Sequence, residues 1–385
     1  MAGISLVDPD IGPRELEAVT RVLRSGWVSI GAETAAFEAE FAAAVGVDDA
    51  VAVSSGTAAL HLACVALGLG PGDEAIVPSL TFVATASAVR MTGARPVFAD
   101  IVGTTGTTGT TGSTSGDLGI DPHEVAAALT PRTRAIVAVH FGGWPADLAG
   151  LRVLADAAGV ALIEDAAHAP VVRSPMGMVG TVGDVGCFSF HATKNLTTGE
   201  GGMVLARDPT VLARVRALRS HGFTPQGDVV DVGYNYRPTD MAAALGRVQL
   251  ARLDDDRQVR RTLTADYHRL LAPLAARPVH PPGTTTAHHL MPILLPGHVD
   301  RDAVQADLLA GGIQTRVHYP PVHWYSAYQP ASGEARPRLP HTETLAPRLL
   351  TLPLHRRMTG GDVEAVVGAL ARALADQPAD VRRAV

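Results

Sequence analysis

The sequence contains a single lysine, Lys194, although Lys and Arg together number 32. Arginine can replace lysine as a surface charge but not as a neutral amine nucleophile. A lone lysine is therefore a candidate for covalent chemistry, and a bias toward arginine is the alternative source of its isolation. Around it the chain reads Phe188-Ser-Phe-His-Ala-Thr-Lys-Asn195, small and hydroxyl residues just past an apolar run. A free lysine, with a pKa of about 10.4, is a poor nucleophile at neutral pH. Desolvation, or a Schiff base with an aldehyde, changes that.

Other segments offer complementary chemistry. Ile163 runs directly into Glu164 and Asp165. A buried carboxylate at the end of a strand needs a partner. That partner is either a protonated ring nitrogen of a cofactor or the cap of the next helix. In Ser54-Ser55-Gly56-Thr57 a glycine turns the chain and a helix begins. Free N–H groups and a positive dipole end suit a phosphate there, and an ordinary capped helix has the same look. Gly233-Tyr-Asn-Tyr-Arg237 leads into a further long helix. Each segment is expected at the end of a strand, the edge where open α/β sheets bind ligands. A helix-start phosphate site, a strand-end Asp and a loop Lys are together the parts that pyridoxal phosphate (PLP) requires. The Asp keeps the pyridine nitrogen protonated, the ring becomes an electron sink, and the Lys forms the covalent link and moves protons.

A scaffold has to bring these groups to one place. Apolar runs predict strands over 50–53, 75–77, 96–98, 135–139 and 161–163. Helical spacing predicts helices over 57–67, 82–91, 122–129 and 148–158, with two more over 13–24 and 34–44. This alternation predicts an α/β fold, a mostly parallel sheet covered by helices on both faces. A long helix follows from 239 to about 253, and a second ends near 274. Beyond it the chain is richer in Pro and His, with a strand over 290–295 and helices near 302–309 and 362–374. The expected organisation is a large domain over 1–250 and a smaller α+β domain over 251–385. The Gly/Thr run over 103–116 has no lysine and no following helix start, so it reads as a flexible surface linker rather than a phosphate loop.

Composition removes several classes. With 46% hydrophobic and 18% charged residues in 385, the chain is no disordered polymer. A net charge of −6 argues against a nucleic-acid binder, which needs a basic face. Cys64 and Cys187 cannot build a disulfide framework and read as buried thiols. Residues 50–72 carry no Asp, Glu, Lys or Arg, yet Ser54, Ser55, His61 and Gly70-Pro-Gly72 fit a strand, a turn and a buried helix better than a membrane span. An acid by Asp8 argues against a secretory signal, and a soluble cytoplasmic protein is expected. His318 and His323 sit on a Pro-broken loop with no carboxylate or cysteine set, so metal binding is ranked below substrate contact or structure.

The motifs also carry a family resemblance over nearly the whole chain. Ser-Gly-Trp at 25–27, Ser-Ser-Gly-Thr at 54–57, Val-Pro-Ser-Leu-Thr-Phe at 77–82, Glu-Asp-Ala-Ala-His at 164–168, Phe-Ser-Phe-His-Ala-Thr-Lys-Asn at 188–195 and Gly-Tyr-Asn-Tyr-Arg at 233–237 resemble the DegT/StrS-type PLP-dependent sugar aminotransferases, of fold type I. The block around Lys194, ending in Gly-Glu-Gly-Gly at 199–202, is the most diagnostic. The resemblance implies that Lys194 is the Schiff-base lysine and proton shuttle, and that Asp165 pairs with the pyridine nitrogen. It implies a phosphate held by Thr57, Ala58 and Ser189, a ring face covered by Phe82, and His168 near the ring and its phenolate oxygen. Asn235 would reach the phosphate of a neighbouring subunit, which implies a homodimer with shared sites. Trp27, Arg237, His318 and Tyr319 are implied substrate contacts.

The implied reaction moves an amino group from glutamate or glutamine to a keto group on a nucleotide-linked sugar or related cyclic ketone. Departures exist. The Gly/Thr run replaces a short acidic turn, the stretch between His221 and Gly233 is short, and Pro238 replaces a more usual Met. Deoxysugar dehydratases of the same family carry His where Lys194 stands. A second reading keeps the cofactor but makes the protein a regulator or a non-transaminating PLP enzyme. A nicotinamide dehydrogenase is a third, but Gly68-Leu-Gly-Pro-Gly72 lacks that fingerprint's spacing.

Overall fold

A computed structural model describes residues 3–103, 118–329 and 335–376. Apart from Gly103, the Gly/Thr run lies outside the described residues. In chain order the strands are Val51–Val53 (β1), Glu74–Pro78 (β2), Arg95–Ala99 (β3), Thr133–Val139 (β4), Ala161–Asp165 (β5), Arg173–Ser174 (β6), Gly177–Met178 (β7), Val185–Ser189 (β8), Gly202–Ala206 (β9), Arg277–Pro278 (β10), Met291–Leu294 (β11) and Leu349–Leu352 (β12).

The main sheet has seven strands in the order β1-β9-β8-β5-β4-β2-β3. Of these, β9 alone runs against the others, pairing antiparallel with both β1 and β8. The expected α/β class is found, and the reversal of β9 has a simple cause. Antiparallel neighbours can be joined by a loop, whereas parallel ones need a crossover. The loop between β8 and β9 carries Lys194. β1, β2 and β8 are buried at every residue, so their apolar runs reflect a sheet covered on both faces.

The charge-free stretch over 50–72 resolves into β1, a turn and the helix Gly56–Ala66, whose residues are mostly buried. Helices found at Pro13–Ser25, Ala32–Val45 and Ala84–Met91 fall where the spacing puts them. The long helix expected to reach 253 instead stops at Ala251, and a second helix, Leu253–Leu271, starts after Arg252. The helix Pro209–Leu218 and strands β10 and β12 were not foreseen. β10 and β12 are short, and they are held by pairing with β11 rather than by a strong local pattern.

β10, β11 and β12 form a separate small sheet. Ile293, Leu350, Tyr267, Val304, Val363 and Leu370 share a core built around it. Ile4 packs on the same core, and it forms a parallel bridge with Ile313. The chain start is thereby tied to its distant carboxy-terminal part. Among the described residues no helix is long and apolar enough to cross a membrane.

Candidate active site

Strands β1, β2, β5 and β8 all run in one direction, so their carboxyl ends meet along one edge of the sheet. A cavity of about 920 Å³ opens there. Its wall includes Thr57 after β1, Phe82 after β2, Asp165 and His168 at and after β5, and Ser189 and Lys194 at and after β8.

The turn after β1 is built to receive an anion. Ser55 caps the helix, its Oγ accepting the Ala58 N–H at 3.1 Å. The first N–H groups of a helix have no carbonyl within it to bond. Gly56 is the only residue type that fits its position: a Cβ there would lie 2.6 Å from the Ser189 Cβ. The missing side chain lets the helix start touch the end of β8, which sets the hydroxyls of Thr57 and Ser189 beside free N–H groups. Ala58 lies behind this cradle. Its N–H is engaged by Ser55, and it does not line the cavity. Gly202 packs equally closely, since a Cβ would sit 2.5 Å from the Ser55 carbonyl oxygen.

The adjacent carboxylates Glu164 and Asp165 go to opposite faces, as successive strand residues must. Glu164 enters the core, where it accepts hydrogen bonds from His140 Nε2 at 3.0 Å and from the N–H groups of Gly180, Val182 and Gly183. Burial opposes its ionisation, but these donors hold its pKa below the usual range. Asp165 faces the cavity. Its Oδ2 accepts from Thr85 Oγ1 at 2.7 Å and its Oδ1 from the Ala167 N–H at 3.2 Å. Burial raises its pKa against these bonds and the Lys194 charge. A cation held on its cavity side, such as a protonated ring nitrogen, would relieve that pressure.

Desolvation brings the Lys194 amine down to about 8, against the pull of Asp165. The next residue anchors the loop. Asn195 Nδ2 donates to the Ala287 carbonyl at 2.6 Å, which turns its Oδ1 toward His289 Nδ1 at 3.0 Å. That nitrogen must carry the proton, so His289 Nε2 is left as an acceptor. His289 lines the cavity, and sequence reasoning missed it. His288-His289 before an apolar run was the only available signal.

His168 has the opposite tautomer. Its Nδ1 accepts the Gly142 N–H at 3.1 Å, so Nε2 carries the proton and donates to Tyr319 Oη at 3.0 Å. Burial, then the charge of Lys194, keeps its pKa well below the ordinary value. Both ring nitrogens are therefore engaged within the chain, and the Tyr319 hydroxyl proton is free to point elsewhere. Burial raises the Tyr319 pKa, so the phenol stays protonated. The Phe82 ring lies 5.5 Å from the Tyr319 ring. His318 lines the cavity as well, its Nδ1 3.0 Å from Thr351 Oγ1 and its pKa pushed down by burial to about 3.

Three sequence candidates are not brought to the cavity by this chain. Trp27 is exposed, its indole N–H donating to the Ile30 carbonyl at 3.0 Å. Asn235 is exposed and bridged by its backbone to Ser220, and the Arg237 guanidinium lies 3.5 Å from His221 Nε2. Their segment follows no strand of the sheet, contrary to expectation, because it is held as an irregular strip by Leu218, Arg219 and Ser54. His323 is engaged by Ser79 Oγ at 2.6 Å and by Glu343 at 3.2 Å. Among the described residues no group of three His, Cys, Asp or Glu side chains could hold a metal ion.

An anion cradle, a cavity-facing carboxylate and a desolvated amine on one wall fit PLP. The model for the DegT/DnrJ/EryC1/StrS aminotransferase family matches residues 9–371. Among solved structures, S. venezuelae DesV in complex with a ketimine intermediate is 39% identical, with a TM-score of 0.85 and 95% of each chain covered. DesI in the presence of its TDP-sugar product is 35% identical, with a TM-score of 0.88, over 97% of this chain and 94% of that one. The PLP form of Spr1654 from Streptococcus pneumoniae is 28% identical, with a TM-score of 0.90, over 98% of this chain and all 100% of that one. Fold and site together define a PLP-dependent enzyme of fold type I. The chain belongs to the DegT/DnrJ/EryC1/StrS aminotransferase family, and PLP is its cofactor.

Proposed function

We propose that this aminotransferase moves an amino group from glutamate or glutamine to the keto group of a nucleotide-linked sugar or a related cyclic ketone. Such a reaction belongs to amino-sugar or secondary-metabolite biosynthesis. The observation that carries the reading is Lys194 and Asp165 on the wall of one cavity of about 920 Å³. That volume is at the large end for small-molecule sites and has room for a ligand beyond the cofactor. The similarity to DesI with its TDP-sugar product supports the acceptor class.

When bound, PLP supplies an aldehyde that captures amines and a ring that withdraws electrons from the adjoining carbon. The residues of this chain do the rest. Thr57, Ser189 and the free N–H groups of the helix start bind the phosphate, with Ala58 and Ser55 closing the turn. Asp165 keeps a proton on the pyridine nitrogen. Lys194 Nζ takes a proton from the substrate carbon and returns it, a task suited to an amine near 8. Phe82 covers one face of the ring. His168 donates to Tyr319, which leaves the Tyr319 hydroxyl to donate to a ligand oxygen. His318 is neutral at working pH, so it contributes shape and hydrogen bonding rather than charge.

In this reading the working unit is a cytoplasmic homodimer. The exposure of Asn235 supports a reach toward the neighbour's phosphate, and Trp27 and Arg237, which also lie outside this chain's own cavity, would serve the substrate of the neighbouring site. Two buried free thiols accord with a reducing compartment.

Borohydride treatment of the cofactor-loaded protein should leave a phosphopyridoxyl mass on the peptide bearing Lys194. With glutamate or glutamine as donor, a panel of keto sugars followed by mass detection should yield an amino sugar. Cofactor trapped on Lys194 without amination of any ketone would favour a regulator or a non-transaminating enzyme.

A further inference from the structure

The cavity wall holds an acceptor that the roles above leave unused. His289 is only 6% exposed, and it lines the cavity together with Lys194. Its tautomer follows from a chain of fixed partners. The Ala287 carbonyl can only accept, so the Asn195 amide must point its nitrogen there, at 2.6 Å. That turns Asn195 Oδ1 to His289 Nδ1 at 3.0 Å, where the imidazole N–H donates. A neutral imidazole has one donor and one acceptor, so Nε2 keeps a bare lone pair. Burial, then His168 and Lys194, keeps the proton affinity of this ring well below the ordinary value, so it stays neutral. Among the described residues no group donates to Nε2. The backbone on either side is stitched to the loop after β4. Ala287 N–H donates to the Gly143 carbonyl at 3.0 Å, and Leu290 N–H to the Gly142 carbonyl at 3.2 Å.

A bare lone pair selects what it can bind. Carboxylates, phosphates and phenolates are acceptors themselves and cannot satisfy it. That removes the phosphate and ring oxygen of the cofactor, whose ring N–H belongs to Asp165, and it removes the carboxylates of an amino donor. An O–H or N–H group is required, and hydroxyls are what a sugar brings. Position narrows the choice further. Asn195 directly follows Lys194, and the His289 ring lies 4.5 Å from the His168 ring. His168 donates to Tyr319 Oη on its other side, at 3.0 Å. The His289 lone pair and the free Tyr319 hydroxyl proton thus flank one imidazole close to the reactive amine. A carbonyl oxygen takes a donor and a hydroxyl gives one, so this pair matches a ketone with a hydroxyl beside it.

We propose that His289 Nε2 accepts a hydrogen bond from a hydroxyl on a carbon next to the keto group, which makes the acceptor substrate a hydroxy ketone. The proposal rests on the aminotransferase reading above and adds a requirement to it. His289 sets specificity rather than chemistry. A ketone that carries the hydroxyl fills the lone pair, whereas an analogue deoxygenated at that carbon leaves a buried acceptor unpaired and is penalised. Asn195 serves the same end at one remove, since its amide decides which imidazole nitrogen faces the ligand.

The test uses TDP-linked keto hexoses, each paired with an analogue lacking one hydroxyl on a carbon adjacent to the ketone. In cofactor-loaded wild-type protein, one pair should show a kcat/KM roughly 10- to 100-fold higher for the hydroxylated member. In His289→Phe that preference should shrink to within about threefold, through loss on the hydroxylated ketone alone. His289→Gln, whose amide can donate to Asn195 and whose carbonyl can accept, should keep part of it. The amino-donor half, followed separately by its absorbance change, should stay within about threefold in both variants. Dead-end binding supplies a readout without turnover, because the PLP form cannot aminate a ketone. The hydroxylated member should bind that form more tightly in wild type and lose the advantage in His289→Phe. Wild-type protein that favours no hydroxylated ketone overturns the proposal, and this arm needs no variant to fold. A preference of equal size in wild type and His289→Phe overturns it too. So does a loss shared equally by both half-reactions, since His289 would then act through the Lys194 loop. A binding preference that depends on His289 in a protein that aminates no ketone leaves this proposal standing and removes the functional reading instead.

Discussion

The ends of β5 and β8 and the strip over 221–237 treat their polar groups in opposite ways. At the first, Glu164, Asp165, His168 and Asn195 are buried, and each is bonded within the chain. Along the second, Phe223, Val229, Val230 and Val232 are exposed, as is Asn235. Buried polar groups demand partners, so one chain settles the first region completely. Clustered exposed apolar side chains on a folded protein mark a surface for association. The polar groups of the cavity wall are thus bonded within one copy, whereas the outer strip is what the homodimer reading would cover with a second and from which Asn235 would reach the neighbour's site.

The largest expected effect falls on the cavity wall. Lys194→Ala should abolish the borohydride-trapped label and reduce amination by roughly four orders of magnitude or more, because no second lysine can substitute. Label found on any other residue would break the assignment. Asp165→Asn should lower the rate of ring amination about 10²- to 10³-fold while the protein still folds and binds the cofactor. Near-normal turnover in that variant would reduce Asp165 to a partner of Thr85 and the Ala167 N–H.

The cost of this preorganisation can be measured without cofactor. The folded Lys194 amine titrates at about 8 and the unfolded one at 10.5. Between those values the unfolded chain binds more protons, so wild-type stability rises with pH in that window. Lys194→Met should therefore be more stable than wild-type apoprotein at pH 7, by about 2 kcal/mol after allowing for residual solvent screening. The gap should close above about pH 10, as read from denaturant melts at several pH values. A gap independent of pH would mean that the amine is not desolvated.

The smallest effect is a factor of two, and it probes the outer strip. Asn235→Asp would set a negative charge beside the neighbour's phosphate. Mixed with Lys194→Ala in differentially tagged dimers, it should restore up to about half of normal activity, since one site collects both lesions and the other neither. Inactive heterodimers whose parents both fold and dimerise would show that each chain works alone.

Much of the scaffold was legible because its signals are local. Periodicity marks the helix Gly56–Ala66 and strands β4 and β5, and the turn at Ser55-Gly56 follows from residue type. The site was legible only where one residue announced itself. Lys194 is unique, and Asp165 ends an apolar run. His289 looks ordinary in sequence, one of 15 histidines. The break between the two long helices was legible, expected near 253 and found at Arg252.

By itself the sequence determined which chemistry was available: one amine, a strand-end pair of carboxylates and a helix start free to hold an anion. The family motif singled out Asp165 over Glu164, but only the pairing of β5 with β4 and β8 turns Asp165 to the cavity and Glu164 into the core. The sequence left open which nitrogen of each histidine holds the proton. Those protons are placed by Gly142 for His168 and by Asn195, 94 positions away, for His289. A residue's type is a property of the chain, but the direction of its side chain and the site of its proton depend on whichever group lies across the interior. Only tertiary packing brings those groups together.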